Sequence, residues 1–235
     1  MTSLGEQNYR KFAERYAQVS KTKAHNAYYN WPGILSLLPE AISGRVLDAG
    51  CGPGYFSEEL LRRGADVLAF DVTPAFVEMA QQRLGPRAEV RRADLNAPLD
   101  FAPSGAFVGV LCSLVLDYIE DWAPVMREFG RVLQPGGWLV ASFGHPLMEM
   151  HLSPSGDYYR TESFTMTWRG FGDPVQVTSF RRPLSAALNP LIQAGLQLDF
   201  IHERQLSAEL KQHDPQEYEN LGRTPDFIFI RALKR

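Results

Sequence analysis

The chain reads as an α/β fold, a largely parallel sheet covered by helices on both faces. Three observations predict it. From Val46 to Phe143, short apolar runs alternate with helical stretches. The connections between them are short, as right-handed crossovers require. The run over residues 106–111 is continuously apolar, which marks a strand buried on both faces of a parallel sheet. A length of 235 residues suits one domain with insertions.

Each element has its own signal. Tyr9, Phe12, Ala13, Tyr16 and Val19 recur at helical spacing and predict an amphipathic helix over 5–20, aromatic on one face. Pro32 suits the first turn of a second helix through Leu38. Gly44 then turns into a strand at Val46. A helix follows over 53–63, stopped by Gly64, and a strand over 66–70 ends at Asp71. Pro74 opens a helix closed by Gly85-Pro86, and a strand over 88–92 stops at Asp94. After the 106–111 strand, helical periodicity over 117–133 ends at Pro135-Gly136-Gly137, before a strand over 138–143. The alternation fails over 144–182, where 158–168 and 175–180 read as extra strands of an insertion. A helix over 183–195, a strand over 196–203, an irregular polar stretch over 206–225 and a last strand over 227–232 complete the chain.

The sequence turns on Val46-Leu47-Asp48-Ala49-Gly50-Cys51-Gly52-Pro53-Gly54, a strand that stops, turns and opens a helix. Glycines let the backbone approach a ligand, and a helix start offers unpaired N–H groups. A dinucleotide fingerprint would need glycine at position 55, where Tyr55 stands. The G-x-G-x-G pattern behind Asp48 instead resembles the first motif of the class I S-adenosylmethionine-dependent methyltransferases. The resemblance implies a Rossmann-like sheet of seven strands, mostly parallel with the last antiparallel, with helices on both faces and a lid insertion after strand 5. It divides the chain into a helical lid (1–40), a cofactor-binding core (41–144), a substrate lid (145–182) and the C-terminal part of the sheet (183–235). It implies S-adenosyl-L-methionine as cofactor, S-adenosyl-L-homocysteine as product, and no metal.

Residue by residue, the resemblance assigns Asp48, Gly50, Cys51, Gly52 and Gly54 to the loop against the methionine part of the cofactor. Asp71, with Val72 beside it, falls on the ribose hydroxyls. Asp94 and Leu95 fall on the adenine, and Cys112 and Ser113 face the amino-acid end, with Tyr16 reaching the cofactor from the N-terminal lid. Asp48 either contacts the cofactor's ammonium or organises the loop. His145, in Gly144-His145-Pro146 past the fifth strand, is the first candidate for a base or substrate contact; the alternative is a histidine that hydrogen-bonds a loop. His25 is the second, against a polar residue on a solvated turn. Tyr28, Tyr29, Met148, Tyr158, Tyr159 and Trp168 lie in the segments expected to roof the site and point to a planar or apolar small substrate. Tyr9, Phe12 and Trp122 read as core. Arg181 and Arg182 before Pro183 could bind an acidic substrate, but read rather as solvated or locally paired.

Composition narrows the partners. A net charge of −3 with 22% charged residues gives no basic excess for nucleic acid or an anionic membrane. No apolar run approaches a membrane span, and two cysteines with five scattered histidines lack metal spacing. The expectation is a cytoplasmic small-molecule methyltransferase, monomer or homodimer, acting on an O, N or C nucleophile. Its rivals are a tRNA or protein methyltransferase, a non-catalytic S-adenosylmethionine-binding regulator and, weakened by Tyr55, a dehydrogenase.

Overall fold

A computed structural model describes residues 2–203 and 206–235, so the first residue of the expected N-terminal lid, Met1, lies outside the described residues. The chain begins with α1 (Leu4–Tyr9), α2 (Ala13–Ser20), a π-helical turn (His25–Asn30) and α3 (Trp31–Leu35). The alternating part follows as β1 (Gly44–Ala49), α4 (Tyr55–Arg62), β2 (Ala65–Asp71), α5 (Pro74–Leu84), β3 (Ala88–Arg92), β4 (Phe107–Ser113), α6 (Trp122–Val132) and β5 (Leu133–Gly144). Beyond it come β6 (Glu162–Trp168), β7 (Val175–Arg181), α7 (Leu184–Gln193), β8 (Leu196–His202), α8 (Ala208–His213), α9 (Pro215–Leu221) and β9 (Phe227–Lys234).

Seven strands form one sheet in the order β3-β2-β1-β4-β5-β9-β8, parallel from β3 to β5, with β9 antiparallel to both β5 and β8. Strands β6 and β7 form a separate antiparallel hairpin, the expected insertion after the fifth strand. Successive residues of the central strands enter opposite layers. Leu47, Leu68, Phe70 and Val110 pack with Trp122, Phe129 and Leu191 of α6 and α7. Val46, Val67, Ala69 and Leu111 pack with Ile34, Leu60 and Ala80 of α3, α4 and α5. This two-sided burial explains why the strands read as continuous apolar runs rather than alternating ones.

Several boundaries differ from the sequence reading. The helix expected over 5–20 is broken at Arg10–Phe12, and the turn gathers Tyr9, Phe12 and Phe76 into a small aromatic core with Phe171 and Val177 of the insertion. The helix expected from 117 starts at Trp122, because Asp121 caps it by accepting the Ala123 N–H at 2.9 Å; Leu116–Tyr118 make one 3-10 turn instead. The 206–225 stretch holds α8 and α9, and Asp214 caps the second by accepting the Glu217 N–H. Arg181 and Arg182 are buried rather than solvated, and Arg181 is locally paired: it donates to the Asp157, Tyr158 and Arg160 carbonyls and pairs with Glu162, while Arg182 donates to the Ile119 and Glu120 carbonyls. The N-terminal segment and the hairpin close together. Asn8 Nδ2 donates to the Thr178 carbonyl at 2.8 Å, and its Oδ1 accepts the Thr178 N–H at 3.1 Å.

Candidate functional site

In the sheet order the chain leaves β1 towards β2 on one side and reaches β4 on the other. The carboxyl ends of strands flanking such a reversal are where open α/β sheets bind ligands. A cavity of about 350 Å³ lies there, walled by the β1–α4 loop, the ends of β2 and β4, the residues after β3, and the N-terminal segment.

The β1–α4 loop is held by its neighbours. The Gly50 and Cys51 amides both donate to the Phe70 carbonyl of β2, at 2.8 and 2.9 Å, and the Gly52 amide donates to Asp71 Oδ2 at 2.9 Å. The Gly50, Cys51 and Gly52 amides are therefore already engaged, and this part of the loop serves the cavity through shape. Gly50 (φ +79°) is pressed against Val115, where a Cβ would lie 2.3 Å from a side-chain carbon. Gly52 (φ +53°) faces open space, with nothing of the chain within 4 Å of an added Cβ. Left-handed backbone at both positions favours glycine.

Asp71 joins two elements. While Oδ2 holds Gly52, Oδ1 accepts the Thr73 N–H at 2.8 Å, fixing the entry to α5. Burial pushes the Asp71 carboxyl up, and hydrogen bonds from the Thr73, Gly52 and Val72 amides and the Thr73 side chain pull it back. Asp48 sits behind the loop, off the cavity wall, where it accepts the Ser57 hydroxyl at 2.5 Å; burial pushes it up to about 7. It organises the loop through Ser57 and α4 rather than through backbone amides.

Of the residues assigned to the cofactor, Gly50, Cys51, Gly52, Asp71, Val72, Asp94, Leu95, Ser113 and Tyr16 all face this one cavity. Asp94 Oδ1 accepts both the backbone and side-chain amide of Asn96, which shapes the turn after β3. Three do not face it. Asp48 lies behind the loop, Gly54 backs onto Ala80 of α5, and Cys112 alternates into the core, where burial pushes its thiol far up.

The catalytic and substrate candidates lie elsewhere. His145 is buried off the cavity wall with both ring nitrogens engaged: Nδ1 accepts the Leu147 N–H at 3.3 Å, so Nε2 carries the proton directed at Glu203 Oε1, 2.7 Å away. His25 turns to the C-terminal segment, with Nε2 3.2 Å from Asp226 and Nδ1 3.6 Å from Glu217. The Tyr29 hydroxyl accepts the Asp226 and Phe227 amides, and Tyr28 packs on His213. Tyr158 accepts the Leu184 amide, Tyr159 is 83% exposed, and Met148 starts a 3-10 turn off the wall. Trp168 stands one layer back, its ring 6.3 Å from that of Tyr9.

Sequence reasoning missed Asn30, Trp31, Phe56 and Tyr118, and placed Tyr9 only in the core. Trp31 and Phe56 stack at 4.5 Å between ring centres and close one side of the cavity. The Tyr9 hydroxyl is 2.8 Å from that of Tyr118, and burial raises both phenols, so both remain protonated at neutral pH. For Tyr118 a signal existed in its place just after the β4 strand end; for Asn30 none did.

The cavity fits a nucleoside-bearing ligand. It offers a glycine wall with room at Gly52, a carboxylate at Asp71, and apolar and aromatic sides. Comparisons with known proteins agree. Residues 47–141 match a family described as a methyltransferase domain. The chain is 26% identical to an S-adenosylmethionine-dependent methyltransferase of Mesorhizobium loti of known structure, over 91% of this chain and 99% of that one, with a TM-score of 0.70. Over 101 residues it is 52% identical to the magnesium-protoporphyrin O-methyltransferase of Rhodobacter capsulatus, covering 42% of this chain and 45% of that protein. Over 101 residues it is 37% identical to a ubiquinone biosynthesis O-methyltransferase of Xanthomonas oryzae, covering 42% of each. The chain thus spans less than half the length of these two named relatives. Residues 47–141 thus carry a methyltransferase domain, on a fold shared with S-adenosylmethionine-dependent methyltransferases of known structure. Among the described residues, no three His, Cys, Asp or Glu side chains converge as a metal site, and no helix is long and apolar enough to cross a membrane.

Proposed function

We propose that the chain transfers a methyl group from S-adenosylmethionine to an oxygen of a small, largely apolar acceptor. The observation that carries this reading is the cavity itself: Gly52, Asp71 and Leu95 line one enclosure together with Tyr9, Tyr16 and Tyr118. The O-methyltransferases similar to its core support oxygen as the nucleophile.

When bound, the cofactor supplies a methyl on a positively charged sulfur, already activated for displacement. The chain's share is placement and exclusion of water. Asp71 would receive the ribose hydroxyls, and Leu95 and Val72 would flank the base. One of the protonated phenols of Tyr9 and Tyr118 donates to the other, and the remaining O–H would donate to an acceptor oxygen rather than remove its proton, which favours acceptors that are acidic in their own right. Incubation with S-adenosylmethionine labelled in the methyl group and a panel of phenols, carboxylic acids and amines tests this. Transfer to phenols or carboxylates is expected. Transfer to amines alone, or to RNA alone, would overturn it.

A further inference from the structure

The N-terminal segment meets the cavity at the end of α2, and two consecutive side chains there have no role in holding the fold. Ser20, the last residue of α2, is 5% exposed and lines the cavity, yet among the described residues its buried hydroxyl has no hydrogen-bond partner. A serine in a helix can turn its proton back to the carbonyl one turn earlier. Ser20 does not, and a buried polar group left unpaired calls for a partner from outside the chain.

Lys21 follows at the helix end and is exposed. Among the described residues that line the cavity it is the only cation, whereas the two carboxylates, Asp71 and Asp94, belong to the strand ends. Its ammonium lies 5.1 Å from the centre of the Tyr55 ring, and the Tyr55 hydroxyl fixes that ring by donating to the Ala17 carbonyl at 2.6 Å. Such a contact holds a cation without giving its N–H bonds an acceptor oxygen. Lys21, Trp31 and Tyr55 also wall an outer groove of about 570 Å³, together with Glu58 and Glu59. Both of those carboxylates are already taken: Glu58 pairs with Arg83, and Glu59 with Arg62 and Arg63. The positive charge of Lys21 is therefore left for a ligand.

We propose that Ser20 and Lys21 form a subsite for a carboxylate carried by the methyl acceptor, separate from the acceptor oxygen that receives the methyl group. A carboxylate has acceptor sites on both oxygens, so it takes the Ser20 O–H and a Lys21 N–H together. The apolar part of the acceptor then meets the aromatic side chains that line the same cavity, Tyr16, Trp31 and Phe56. The substrate class this defines is a hydroxylated aromatic carboxylic acid. The proposal deepens the reading of the chain as a small-molecule O-methyltransferase and rests on it.

Transfer from methyl-labelled S-adenosylmethionine to paired phenols tests it, each pair differing by a carboxylate in place of a methyl group: para-hydroxybenzoate against para-cresol, and para-hydroxyphenylpropionate against para-propylphenol. The wild-type chain should favour the acid of a pair about tenfold or more in kcat/KM, as expected for hydrogen bonds to a charged group. Lys21→Met and Ser20→Ala should each remove most of that preference through the KM of the acid, with S-adenosylhomocysteine affinity kept within twofold in calorimetric titration. Ser20→Ala should also leave the melting temperature unchanged, whereas loss of a structural hydroxyl would lower it; Lys21→Met carries the test if Ser20→Ala fails to fold. No preference for the acids in the wild type, or an unchanged preference in both variants, would overturn the subsite while leaving O-methyl transfer in place. A matching loss of S-adenosylhomocysteine affinity would assign the two side chains to the cofactor and overturn it as well. A wild-type chain that methylates neither member of either pair would remove the reading on which the proposal rests, and the proposal with it.

Discussion

Two glycines of one loop should fail in opposite ways when alanine replaces them. At Gly50, φ is +79° and the new Cβ would stand 2.3 Å from Val115 Cγ2 and 2.9 Å from its Cγ1. Left-handed strain costs about 1–2 kcal/mol for a residue with a Cβ. Forcing a methyl into a packed wall adds about 1–3 kcal/mol. A loss of about 2–5 kcal/mol is a large share of a domain's typical stability of about 5–15 kcal/mol. It corresponds to a drop in melting temperature of roughly 4–20 °C for a chain of this size. At Gly52, φ is +53° and the Cβ meets nothing of the chain within 4 Å, so only the strain of about 1–2 kcal/mol applies. That methyl occupies cavity space, and S-adenosylhomocysteine should bind about tenfold more weakly, a change of about 1.4 kcal/mol. Thermal unfolding by circular dichroism and calorimetric titration read the two effects separately. Equal melting temperatures for the two variants, with unchanged affinity in Gly52→Ala, would refute the division of labour between the glycines.

Further outcomes follow from buried groups. Burial, reinforced by the neighbouring Asp117 charge, pushes Glu149 up to about 9, and burial pushes Asp48 up to about 7. Both carboxyls are raised in the folded state, so it holds protons that the unfolded chain has released. Their contribution is complete below about pH 4 and is lost as pH rises through those values. Urea midpoints should therefore fall between pH 5 and pH 9, and Glu149→Gln should flatten the upper part of that decline; an unchanged slope would contradict the burial of Glu149. Tyr29→Phe removes the acceptor of the Asp226 and Phe227 amides and should cost about 1–3 kcal/mol in urea unfolding with S-adenosylhomocysteine affinity kept. A selective loss of affinity would return Tyr29 to the site.

What was legible in the sequence is what is local in the chain. The glycine loop, Asp71 and Asp94 stand at turns directly after strands, and in a parallel sheet all such turns reach the same edge, so their meeting follows from the alternation alone. The lid was not legible in this way. Tyr28, Tyr29, Tyr158 and Trp168 have the same composition as Tyr9 and Tyr16, yet only the latter two reach the cavity, because the break at Arg10–Phe12 and the π-helical turn decide which face looks inward. Those bends are set by packing against the hairpin and the C-terminal segment, distant in sequence. His145 drew notice as a titratable group past the fifth strand, but its position could not reveal that Leu147 and Glu203 use both its nitrogens. Asn30 drew none, since a single amide among aromatic residues carries no motif; its place is set by hydrogen bonds to Ser113 and Ser142, far along the chain.

The central claim is that the glycine loop and Asp71 form the cofactor wall of a methyltransferase. Its most direct test is titration of the wild-type chain and Asp71→Ala with S-adenosylhomocysteine, with NAD as the comparison. One site per chain is expected for the wild type and none for NAD. Asp71→Ala should weaken binding by about 1.5–3 kcal/mol, through loss of charge-assisted bonds to the ligand and of the anchor for the Gly52 amide. An unchanged dissociation constant in Asp71→Ala, or NAD binding where S-adenosylhomocysteine does not, would contradict it.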